Sequence, residues 1–240
     1  MKVTIYTLTY NEQVLMQFMI DHYRSRFPNC HIVVYDNNST DRTVEICKNN
    51  GCEIRAYNAN NQLNDGLHQQ IKNTCWKDAT TDWVLMCDLD ELLDITEEQL
   101  MQEEAAGVSV IKTEAWTLVN MVDDSSYEAI SKINGGFRDP GYDKSLIFNK
   151  KHIQEINYNP GCHGCRPVGN VVYSNNTYYL YHYQYITPEL FVAKRMETAK
   201  RLSPANRKNG WGLPQTSGTA QDKRNDFQYR RDHFVKAPGK

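Results

Sequence analysis

The first 112 residues alternate short β-rich runs with longer helical ones, and that rhythm restricts the chain more than any other feature. Val3–Leu8 is an apolar, β-branched run ending at Thr9-Tyr10-Asn11-Glu12. From Val14 to Tyr23 the residues Leu15, Phe18, Met19 and His22 fall on one helical face. Ile32–Tyr35 reads as a second strand, Glu53–Tyr57 as a third, Trp83–Cys87 as a fourth and Val108–Lys112 as a fifth. Between them lie a helix capped by Ser39 or Thr40, a helix over Leu67–Trp76, and a helix capped by Thr96 with Glu97 and Glu98 in its first turn. Such alternation predicts a mostly parallel sheet with helices on both faces. Ligands of these sheets bind beyond the carboxyl ends of the strands. Three polar clusters sit at such ends: Thr9–Glu12, Asp36–Asp41 and Asp88–Glu91.

The second half reads differently. Asp123–Asp143 has loop composition, followed by β-like runs at Ser145–Asn149, Asn170–Tyr173 and Tyr178–Tyr185 and a helix from Thr187-Pro188 to about Leu202. The last of these runs carries five tyrosines in eight residues, a pattern that suits sheet packing. Lys194–Lys240 carries 12 Lys or Arg against 4 Asp or Glu, a net +8, while the preceding residues carry −10. The near-neutral total argues against a nucleic-acid partner. The basic stretch reads as a solvated end, as a lid hinged at Gly210 and Gly212 around Trp211, or as a surface for anionic lipid. Seven cysteines, an odd number, argue against a disulfide framework, and no apolar run is long enough to span a membrane. The expectation is a cytoplasmic protein, in peripheral contact with a membrane if its acceptor lies there.

Asp88 and Asp90 carry the most chemistry. Side chains two apart on an extended segment point the same way, so both carboxylates can face one ligand. A carboxylate pair at a sheet mouth suits Mg²⁺ or Mn²⁺, which can neutralise a diphosphate leaving group. Cys162-His163-Gly164-Cys165 lacks the second pair that a structural zinc site needs, so His163 is the better candidate there, for an acceptor or diphosphate contact.

Thr9-Tyr10-Asn11-Glu12, Asp36-Asn37-Asn38-Ser39-Thr40-Asp41, Asn64-Asp65-Gly66 with Asn73, and Asp88-Leu89-Asp90-Glu91 resemble, in order and spacing, the family-2-type glycosyltransferases. The Asp-x-Asp-Glu form is similar to a branch with short, single-domain members. The resemblance implies an α/β GT-A fold, with a smaller β-containing half for the acceptor. In that division residues 1–112 hold the nucleotide sugar, 113–202 the acceptor, and 203–240 form the basic tail or lid. It implies that Thr9, Tyr10 and Glu12 line the nucleotide pocket, that Asp36 accepts a hydrogen bond from the base, and that Asn38 and Asp41 shape the same loop. Asp65 and Lys72 would lie near the base or diphosphate, Asp88 would reach ribose and metal, Asp90 would ligate the metal, and His182 would complete the metal site. An inverting enzyme also needs a base. The candidates are Glu114, Asp123, Asp124, Asp139 and Asp143, with Asp143 preferred beside Lys144-Ser145-Leu146-Ile147. The implied ligands are a UDP- or GDP-type sugar donor, Mn²⁺ or Mg²⁺, and a glycan or lipid-linked acceptor. A sugar nucleotidyltransferase and a non-catalytic nucleotide- or carbohydrate-binding module stay open as alternatives. The first would need a Gly-rich, basic loop, which Thr9–Glu12 is not.

Overall fold

The computed structural model describes residues 2–240. Its elements in chain order are β1 (Val3–Thr9), α1 (Gln13–Arg26), β2 (His31–Asp36), α2 (Thr43–Asn49), β3 (Glu53–Ala56), α3 (Asp65–Thr74), β4 (Trp83–Asp88), β5 (Glu91–Asp94), α4 (Glu97–Ala105), β6 (Val110–Val119), α5 (Tyr127–Ser131), β7 (Gly135–Arg138), β8 (Ile147–Asn149), β9 (Ile153–Glu155), β10 (Val168–Gly169), β11 (Tyr173–Tyr185), α6 (Pro188–Arg201), α7 (Pro204–Asn209), α8 (Leu213–Thr216), α9 (Ala220–Asp232) and β12 (Val235–Lys236).

The parallel half runs in the order β3-β2-β1-β4. All seven residues of β1 are buried, as expected of a strand with helices on both faces. Beyond β4 the sheet turns mixed: β8 pairs antiparallel with β4 and β6, and β7 antiparallel with β6. The long β11 runs parallel to β6 and antiparallel to β5. The α/β architecture is therefore the expected one.

Several local expectations are corrected. Glu91–Asp94 is a strand where the sequence suggested only the way into a helix. β11 is one bulged strand, not two separate runs. The Asp123–Asp143 stretch contains α5 and β7. Ser39 and Thr40 do not cap α2: Ser39 Oγ accepts from Asn11 N, and Thr40 N donates to Asn11 Oδ1. Thr96 does cap α4, in a reciprocal pairing with Gln99.

Residues 203–240 are folded against the body. Phe227 is fully buried in a cluster with Val119, Tyr185 and Phe191, and Tyr185 stacks on Phe191 at 4.4 Å between ring centres. β12 adds to β7, and Lys240 Nζ donates to Tyr183 Oη at 2.7 Å. The reading of this stretch as a solvated end is thereby corrected.

His22 of α1 lies under the sheet, where its Nε2 is 2.9 Å from the Leu93 carbonyl oxygen. Burial pushes its pKa down from 6.5 to about 3. Such a group binds fewer protons folded than unfolded, so its contribution to stability is complete above 6.5 and fades as pH falls toward 3. Unfolding free energy should therefore drop below pH 6.5 by up to about 1.4 kcal/mol per pH unit from this group. In urea titrations across that range, His22→Gln should flatten the slope without abolishing it, because burial likewise pushes His68 down to about 4. An unchanged slope would remove His22 from the account.

Candidate functional site

A cavity of about 650 Å³ opens at the carboxyl ends of β1 and β4. Thr9, Tyr10 and Glu12 reach it from the end of β1, Asp88 and Asp90 from the end of β4, Asp65 and Lys72 from α3, and His182 from β11. These eight expected residues thus share one space. The loop geometry behind this is built from side chains. Asn11 takes a left-handed backbone (φ +54°) and clasps the Ser39–Thr40 loop, while Asp41 accepts from the Gln13 and Thr43 amides. Asp41 therefore fastens α1 to α2.

Strand register brings Asp90 to His182. His182 pairs with Glu91 across the β5–β11 ladder, and Tyr183 N donates to the Asp90 carbonyl at 2.7 Å. Asp90 Oδ2 lies 3.8 Å from His182 Nε2. His182 Nδ1 is buried without a hydrogen-bond partner, and its ring packs on Tyr142 at 4.5 Å.

Lysines grip the acids. Lys72 Nζ lies 2.5 Å from one Asp88 oxygen and Lys144 Nζ 2.8 Å from the other. Lys144 also donates to both Glu91 oxygens at 2.7 Å. Burial alone would raise the Asp88 pKa, but Lys144 and Lys72 outweigh it and hold the carboxyl well below the usual range. Burial pulls Lys144 toward neutrality, and Asp88 and Glu91 overcome it, so the ammonium stays charged. Lys194 of α6 bridges Glu12 Oε1 at 2.8 Å and Asp90 Oδ2 at 3.0 Å. On the Glu12 carboxyl burial prevails over Lys194 and raises the pKa; on Asp90 burial is outweighed by Lys194 and His182 and the pKa falls.

Four expected residues lie or pair differently from expectation. Asp143 lies off the cavity lining: its Oδ1 accepts from Ala115 N and its Oδ2 from Arg138, so it ties a loop to β6 and β7 instead of facing an acceptor. Asp36 also stays outside, because its carboxylate turns back to the Ser39 amide. Asn38 is exposed in a left-handed conformation (φ +57°), 3.5 Å from Asn61 Oδ1. Asp88, expected as a metal ligand, already has both oxygens engaged by lysines. Among the described residues no group of three or more His, Cys, Asp or Glu side chains converges as a metal cage. The pair Asp90 and His182 fits a divalent ion that completes its shell from substrate phosphates and water, since such ions commonly take only one or two protein ligands.

Sequence reading missed the roles of Lys144, Glu91 and Lys194, although Glu91 stood in the quoted motif and Lys144 in the quoted strand. It also missed Tyr57 and His68, whose Oη and Nε2 are 2.9 Å apart on the cavity wall, and Arg201, whose guanidinium sits 3.3 Å over the Tyr10 ring. Trp211 and Gly212 line the cavity too, and Asn206 Oδ1 accepts from Asp65 N. The C-terminal segment thus takes part in the site's wall.

Residues 4–107, ending just before β6, match the model of Glycosyl transferase family 2. That segment, somewhat under half of the chain, is similar to glycosyl transferase family 2. It contains the polar clusters after β1, β2 and β4. Protein RfbJ of Shigella flexneri is 28% identical over 85 residues, 35% of this chain and 61% of RfbJ. TarS of S. aureus superposes with a TM-score of 0.46 at 16% identity, over 83% of this chain and 39% of TarS. The mannosyltransferase PcManGT of Pyrobaculum calidifontis, solved with GDP-Man and Mn²⁺, gives 0.44 at 16% identity, over 92% of this chain and 73% of that one. The chain therefore spans less than two thirds of RfbJ and of that TarS chain.

Proposed function

We propose that this chain transfers a sugar from a nucleoside-diphosphate sugar to an acceptor hydroxyl, with Asp90 and His182 holding a divalent cation. One observation carries the proposal: Thr9, Tyr10, Glu12, Asp65, Lys72, Asp88, Asp90 and His182, far apart in sequence, line a single cavity at the sheet's carboxyl edge. In this reading Tyr10, Tyr57, Asp65 and His68 shape the nucleoside end. Lys72 and Lys144 fix Asp88 so that a free carboxylate does not repel the diphosphate. Mn²⁺ or Mg²⁺, when bound, would offset the charge that builds on the diphosphate as the sugar leaves. The ion-paired cluster already sets Glu12, Asp88, Asp90 and Glu91 against only three ammoniums, which is why a diphosphate entering it calls for added positive charge.

The division into a donor half over residues 1–112 and an acceptor half beyond it belongs to the same proposal, with Trp211 and Gly212 adding the C-terminal segment to the donor wall. The acceptor is proposed to be a glycan or lipid-linked saccharide in glycan synthesis. Exposed Tyr229, Phe234 and Val235 next to basic Lys236 support contact with a membrane surface. No helix among the described residues is long and apolar enough to cross one.

The experiment is a calorimetric screen of UDP, GDP, ADP and CDP, each with Mn²⁺ and with EDTA. One diphosphate should bind at least about tenfold tighter with Mn²⁺, a difference of about 1.4 kcal/mol, and its sugar conjugate should be hydrolysed or transferred. Binding of none, or binding indifferent to chelation, would sink the reading.

A further inference from the structure

Three lysines enter the acidic site, and one differs from the others in kind. The side chains of Lys72 and Lys144 are 5% and 1% exposed, each locked under the cavity floor. That of Lys194 is 47% exposed. It reaches in from α6, at the cavity wall, with part of its stem in solvent. The oxygen it holds is Asp90 Oδ2, the same one that faces His182 Nε2 across 3.8 Å. An ammonium and a divalent ion on one carboxylate oxygen repel each other strongly, even when partly screened. The two therefore compete for that oxygen.

We propose that Lys194 is a built-in counter-cation of the donor site: it occupies Asp90 and Glu12 until a divalent ion arrives, then yields the carboxylate and turns to the incoming diphosphate. This rests on the reading of Asp90 and His182 as cation ligands. The physical logic is one of charge. Without a cation, Glu12 and Asp90 would face each other in a part-buried pocket with side chains only 19% and 17% exposed, and a part-buried pair of like charges is costly. Lys194 removes that cost in the empty state. Its flexible four-carbon stem lets the ammonium swing without moving α6. Once displaced it stays at the cavity wall, where a compact ammonium is a good phosphate ligand. Lys194 therefore weakens the bare site for metal and strengthens it for metal together with donor.

The test is Mn²⁺ titration, followed by electron paramagnetic resonance, of wild type, Lys194→Met, Lys194→Arg and Asp90→Asn, all without nucleotide. A thermal melt of each checks folding. Lys194→Met keeps the stem and removes the charge, so it should bind Mn²⁺ on the order of tenfold tighter than wild type, while Lys194→Arg should stay close to wild type. With Mn²⁺ saturating, Lys194→Met should bind the preferred nucleoside diphosphate several-fold more weakly. Equal or weaker Mn²⁺ affinity in Lys194→Met overturns the proposal even when Asp90→Asn abolishes the binding. No Mn²⁺ binding by either wild type or Lys194→Met overturns the metal reading itself, and this inference with it.

Discussion

Asp90→Ala should lower sugar transfer by at least about a thousandfold while shifting the melting temperature by no more than a few degrees. The first half of this expectation follows from position. Asp90 Oδ2 is the one carboxylate oxygen that faces His182, and both oxygens of Asp88 are taken by lysines. Among the described residues, the ion pair recorded for that imidazole is with Asp90. The second half follows from how the residue is anchored. Its contribution to the sheet edge is a backbone one, the carbonyl that accepts from Tyr183 N, and alanine keeps it. The lost ion pair is with Lys194, which is half exposed and retains Glu12. Steady-state transfer with the donor found by the diphosphate screen, alongside thermal melts, measures both halves. Activity within tenfold of wild type would end the assignment of Asp90 to the cation. Loss of activity with collapse of the fold would show that the residue had been misjudged as a surface ligand.

What the sequence made legible, and what it hid, divides along the range of the interactions. The strand–helix alternation is local, so β1 to β4 and their helices could be read directly, and the topological rule then placed Thr9–Glu12 and Asp88–Asp90 together. His182, named through the family resemblance, lines the same cavity. β5 was hidden because Glu91-Leu92-Leu93-Asp94 is too short to show a period; it is a strand because β11, far along the chain, pairs with it. Lys144 and Lys194 were hidden for the same reason. Their partners lie 53 and 104 residues away, so the pairings cannot be read from the residues around either lysine, although Lys144 stood in a quoted strand. Asp143 was misread for the opposite cause. It stands beside the informative Lys144, but a one-residue step and the pull of Arg138 turn it away from the cavity. Asp36 sits at the end of a central strand as expected, yet its own turn satisfies it through the Ser39 amide. Residues 203–240 looked like a solvated end because their apolar residues are few; one of them, Phe227, is enough to seat α9 in an aromatic cluster.

Lys144→Met should destabilise the protein by about 3–5 kcal/mol, the range for breaking a buried ion pair from one side. Lys144 and Glu91 have side chains only 1% and 2% exposed, and both Glu91 oxygens depend on that ammonium at 2.7 Å. Without it, a carboxylate on β5 stays buried against β11 with its ammonium partner gone. Asp88 suffers less, since Lys72 remains on its other oxygen and its side chain is 37% exposed. This asymmetry makes a second variant informative. In Lys144→Met with Glu91→Leu the stranded charge is gone and an apolar pair of similar volume fills the space. Replacing a buried ion pair in this way is often close to neutral. The double variant should thus recover most of the stability that the single one loses, measured by urea unfolding at constant m-value. It should not recover transfer, because Asp88 would be held from one side only. Stability and activity that recover together would mean that Lys144 has no part in setting Asp88. A single variant as stable as wild type would mean that the Lys144–Glu91 pair does not hold the sheet edge where the site is built.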